Sequence, residues 1–64
     1  MMAIQETLLK LRNRTGLSQA KFAKKFFIPL STYEHWEIGM RTPPVYVVKL
    51  IETVLDYEDK LKGK

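Results

Sequence analysis

Residues 18–39 read Ser18-Gln19-Ala20-Lys21-Phe22-Ala23-Lys24-Lys25-Phe26-Phe27-Ile28-Pro29-Leu30-Ser31-Thr32-Tyr33-Glu34-His35-Trp36-Glu37-Ile38-Gly39, and this stretch decides the fold. It divides into two short helices. Ser18 suits an N-cap, because its side-chain oxygen can accept an orphan N–H of the first turn. Phe22, Ala23 and Phe26 then recur at helical spacing as a core face, while Lys21, Lys24 and Lys25 face out. Phe27, Ile28 and Pro29 end that helix, since Pro29 disfavours helical geometry in Ile28 and has no N–H to donate. A second helix is expected from about Leu30 to Ile38, with Gly39 placed as its left-handed stop. Tyr33, Trp36 and Glu37 share one side of it; Ser31, Glu34, His35 and Ile38 share the other. Ser31-Thr32-Tyr33-Glu34 also fits a capping box, which would start the helix one or two residues later.

Outward from this centre, Ile4, Leu8 and Leu11 form one apolar stripe of a helix from about Met2 to Thr15, stopped by Gly16. Lys10 and Arg14 are expected to face water. Arg12 falls four residues after Leu8, so its guanidinium lies close to the stripe and needs an acid or a route to solvent. Glu37, on the inner side of its own helix, needs a base. A last helix is expected from about Val45 to Leu61, with Val47, Leu50, Ile51, Val54 and Leu61 as its main stripe and Tyr46, Val48, Leu55 and Tyr57 as shoulders. That apolar surface is wider than short neighbours cover. Tyr46, Val48, Leu55 and Tyr57 are therefore the candidate dimer face, unless the shoulders are simply half-exposed.

With 64 residues the chain has room for one compact domain, 1–64, and 45% hydrophobic with 28% charged residues is an ordinary globular balance. The fold class expected is all-α, a bundle of four or five helices. No cysteine is present and His35 is the lone histidine, so no disulfide framework, zinc site or cofactor is expected. The chain lacks a basic n-region followed by an apolar run and any membrane-length apolar segment, which reads as a cytoplasmic protein with no membrane partner. Charge is unevenly spread: seven basic residues against three acidic ones up to Pro43, then four against four. The basic part is a candidate surface for a polyanion. No glycine-rich phosphate loop or paired acids around a pocket point to an enzyme, and the aromatics occupy core positions, leaving no stacking platform for RNA.

Two short helices with a three-residue break, closed by a first and a last helix, make a helix-turn-helix arrangement. Leu11-Arg12, Gly16-Leu17-Ser18-Gln19, Phe22-Ala23, Thr32-Tyr33, Trp36-Glu37-Ile38-Gly39 and Arg41-Thr42-Pro43 resemble the Cro/phage-repressor (XRE) helix-turn-helix family, in one register from about Leu8 to Leu55. The resemblance implies a lambda-repressor-like domain, with the motif at about 18–38. It also implies an Arg12–Glu37 ion pair, supplying each of those residues with the partner it lacked. Binding of double-stranded DNA follows, with the helix at about 30–38 in the major groove.

The family's base-reading positions fall on Leu30, Ser31 and His35, with Glu34 beside them. A histidine can bond to a purine acceptor, a serine to almost any base, a leucine to a thymine methyl, and a glutamate can accept from cytosine N4. Phosphate contacts are expected from Ser18, Gln19 and the N–H groups near them, from Arg41, and next from Lys21 and Thr32. Two positions depart from the family: Phe27 stands where it usually has Gly, and Pro29 where Ser or Thr usually caps the helix. The function expected is a transcriptional repressor acting as a homodimer on a two-fold-related operator. The competing reading is an antitoxin-like interaction module whose last helix holds a toxin or another regulator.

Overall fold

The computed structural model describes residues 4–62, which form α1 (Ile4–Thr15), α2 (Gln19–Lys25), α3 (Leu30–Ile38) and α4 (Val45–Lys62). The described residues contain four helices and no strand. The expected start of α1 at Met2 lies outside them. Each boundary has a local cause. Gly16, at φ 73°, turns the chain out of α1, and the Thr15 hydroxyl donates to the Arg12 carbonyl and accepts from Leu17 N–H at 3.0 Å. Ser18 caps α2, its Oγ accepting from Lys21 N–H at 3.2 Å.

The α2–α3 turn keeps a left-handed residue without a glycine to supply it. Phe27 adopts φ 58°, and Ile28 N–H returns to the Ala23 carbonyl at 2.9 Å. An aromatic residue held in this region costs about 1 to 2 kcal/mol. Pro29 then precedes α3 with no side-chain cap, so the capping box at Ser31 is not used and α3 begins at Leu30. The helix start is still satisfied through its backbone, because Tyr33 N–H reaches the Pro29 carbonyl at 3.0 Å. Gly39 ends α3 at φ 84°, a conformation in which a side chain would be strained.

Leu8, Leu11, Phe22, Ala23, Tyr33, Trp36, Val48, Ile51 and Leu55 make the core, with Pro43 fully buried beside them. Phe22 is its hub, tilted against Phe26 at 5.0 Å and Tyr33 at 5.4 Å between ring centroids, and Tyr33 meets Trp36 edge-on at 6.4 Å. Burying a large apolar side chain contributes about 1.5 to 3 kcal/mol, so these aromatics are what hold α2 and α3 together.

α4 is rotated relative to the reading from its sequence. Val48 and Leu55, expected on an exposed dimer face, are core residues at 4% exposure, and Leu50, Val54 and Leu61, expected in the buried stripe, look outward. Apolar residues surround so much of this helix that periodicity allows more than one inner face. Packing against α1 selects Val48, Ile51 and Leu55. Ion pairs close over that choice: Arg14, expected in water, reaches Asp56 at 2.7 Å and Asp59 at 2.9 Å, and Lys25 reaches Glu58 at 2.9 Å. Of the proposed dimer residues, only Tyr46 and Tyr57 are exposed.

Candidate nucleic-acid interface

The outer side of α3 is built by what holds its inner side. Tyr33 and Trp36 are buried, and at 3.6 residues per turn this sends Ser31, Glu34 and Ile38 outward, with His35 half-buried on the same face. Leu30 stands partly exposed at the N-terminal edge of the helix. The structure thus brings Ser31, Glu34 and His35 together. Ile38 and Met40, 65% and 69% exposed, extend this region toward the following loop and were missed as site candidates. The signal for Ile38 was present, since it falls seven residues after Ser31.

Glu37 anchors α3 to both neighbouring helices. Arg12 Nε of α1 donates to its Oε2 at 2.7 Å, and Gln19 Nε2 of α2 donates to its Oε1 at 2.7 Å. The Tyr33 hydroxyl donates to Oε2 as well, and Arg12 Nη1 ties the group to the Leu17 carbonyl at 3.1 Å. Burial pushes the Glu37 carboxyl up, but the hydrogen bonds from Arg12, Tyr33 and Gln19 outweigh it and hold it below its ordinary value. Burial first, and then the adjacent carboxylate, push the Tyr33 phenol up, so it stays protonated and donates. The Glu37 side chain keeps only 7% of its exposure, yet all of its charge is met by donors.

This cluster changes the place of Gln19. The sequence reading assigned it to phosphate; the structure spends one of its amide N–H groups on Glu37, eighteen residues away, and leaves the side chain half-buried. Nothing in the spacing reveals that contact. Thr32, the other second-rank phosphate candidate, is half-buried and lines a groove with Trp36, Pro29 and Leu50. Ser18 and Lys21 are exposed at the start of α2. The Ser18 oxygen accepts the cap bond and its O–H remains a donor. Arg41 is exposed, and its backbone N–H bonds to the His35 carbonyl at 3.3 Å, which keeps it beside the last turn of α3.

The chemistry available on α3 is specific in what it lacks. Its sequence, LSTYEHWEI, contains no Arg, Lys, Asn or Gln, so the helix has none of the side chains that read guanine or adenine bidentately. It offers instead a hydroxyl, an imidazole, a carboxylate and aliphatic groups. Its cations stand off the helix, on α2 and in the loop after Gly39.

An exposed short helix, braced from behind by two others and flanked by basic residues, is the geometry of a domain that reads duplex DNA through a groove. Comparison with protein families gives the same class: a helix-turn-helix family of the Cro/C1 type matches residues 8–60. The chain belongs to this helix-turn-helix family, the XRE family of DNA-binding transcription regulators. No curated protein and no solved structure matches it. No helix among the described residues is long and apolar enough to cross a membrane, and no cluster of His, Cys, Asp or Glu among them is arranged to hold a metal ion.

Proposed function

We propose that the chain is a repressor that binds a specific duplex sequence in the cytoplasm as a homodimer, with the outer face of α3 in the major groove. The observation that carries the reading is that exposed Ser31 and Glu34 share one face with half-buried His35, on a helix whose opposite side is fixed by Tyr33, Trp36 and Glu37. Leu30 contacts a thymine methyl at the helix start, Ser31 and His35 bond to base edges, and Glu34 accepts from a cytosine amino group. Glu34 also disfavours sites that bring only phosphate to it, because an unmatched carboxylate is repelled there. Ser18, Lys21 and Arg41 supply phosphate contacts that set the register, with the remaining Gln19 N–H in support.

Selection of bound sites from a random duplex pool tests this. The expected product is an enriched pair of two-fold-related half-sites about one helical turn apart. Recovery of no enriched sequence, at low salt as well as moderate salt, overturns sequence-specific binding. A second reading, an antitoxin-like module that holds a protein partner through α4, is favoured by one observation: Tyr46, Leu50, Tyr57 and Leu61 are all more than half exposed.

A further inference from the structure

The two carboxylates of α3 stand in opposite surroundings. Glu37 is met by donors on the inner side, whereas Glu34 is exposed and no side chain among the described residues pairs with it. Its neighbours along the helix are aliphatic. Leu30 lies four residues before it and Ile38 four residues after it, 42% and 65% exposed, so the three form one row on the outward side. At 1.5 Å per residue the row is about 12 Å long, with the charge at its centre.

A carboxylate facing a groove is a strong selector. Phosphates and the acceptor atoms of guanine and thymine repel it, and only an amino group matches it, either cytosine N4 or adenine N6. The aliphatic groups beside Glu34 separate these two bases. On a cytosine edge the C5 position is directly next to the amino group. On an adenine edge the amino group stands between N7 and the O4 of the paired thymine, both acceptors, which an aliphatic side chain would desolvate without a partner. A methyl group on cytosine C5 places apolar surface and donor side by side on one base, which is the pattern that Leu30, Glu34 and Ile38 complement. α3 has no Arg, Lys, Asn or Gln to impose a different base at this point.

We infer that the duplex this chain prefers carries 5-methylcytosine facing Glu34: the carboxylate accepts from the N4 amino group, and Leu30 and Ile38 pack around the 5-methyl group. Methylation of that cytosine tightens binding, which makes the chain responsive to the modification state of its site. Ser31 and His35 lie on the neighbouring row and keep their bonds to other base edges, so the effect is confined to one base of each half-site. The inference rests on the major-groove reading of α3 above and names the base that its carboxylate takes.

Anisotropy titration of the full chain with a duplex recovered by site selection tests it, each cytosine of a half-site being replaced in turn by 5-methylcytosine. One position is expected to bind roughly fourfold tighter when methylated, the factor that burial of one methyl group gives, with the other positions unchanged. The double variant Leu30→Ala, Ile38→Ala loses this increment and keeps its helical circular dichroism, because both side chains are exposed. Glu34→Ala loses the preference for cytosine at that position. Methylation that is neutral or unfavourable at every cytosine overturns the inference. So does an increment that the double variant retains, or a selected site with no cytosine in it. A selected site indifferent to methylation removes this inference alone, whereas failure to select any site removes the groove reading and this inference with it.

Discussion

Glu37 receives donors from three residues on three helices, and its charge state therefore governs more than its own helix. Its carboxyl is held below the ordinary value of 4.5, so the stabilisation it gives is fully present above that pH and is lost as pH falls through its depressed value. Glu37→Gln is expected to cost about 2 to 3 kcal/mol near neutral pH, less than a fully buried pair because Arg12 keeps some solvent contact. The difference between wild type and variant should shrink steadily in denaturant titrations taken below pH 4.5. A gap that stays constant down to full acid unfolding would show that the charge of Glu37 contributes nothing. The Arg12–Glu37 contact was legible only through the resemblance, since the residues by themselves showed two unpartnered charges. Gln19 was not legible at all, because a contact made across a turn leaves no periodic trace. Phe27 was legible as a departure, and the structure shows the turn absorbing the strain and keeping its shape.

At the level of elements, α2 and α3 could be read closely because each has a narrow apolar side and clear stops. Ser18, Pro29 and Gly39 mark boundaries by their own backbone chemistry, and Tyr33 with Trp36 leaves no choice of inner face. α4 lacked that constraint: with apolar residues on several sides, its rotation was decided by α1 and by the pairs from Arg14 and Lys25. The outward side of α3 carries a prediction of its own. If His35 bonds to a base edge as proposed, His35→Ala should weaken binding to a selected site by about 1 to 3 kcal/mol, with binding to random duplex almost unchanged. Competition titrations measure both; equal losses, or none, would show that His35 does not discriminate bases.

Across the whole molecule, positive charge and hydrophobic surface are separated along the chain. The excess of basic residues lies before Pro43, around the braced α3, while Tyr46, Leu50, Tyr57 and Leu61 leave exposed apolar surface on α4. Carboxylates of α4 meet two of the cations from the basic part, Asp56 pairing with Arg14 and Glu58 with Lys25. The claim on which the rest depends is that α3 itself enters the groove. Backbone amide shifts recorded while a selected duplex is titrated into the labelled protein test it most directly. The account predicts the largest changes at residues 30–35, with further changes at Ser18, Lys21 and Arg41. Changes confined to α4, with residues 30–35 unmoved at saturation, would contradict it.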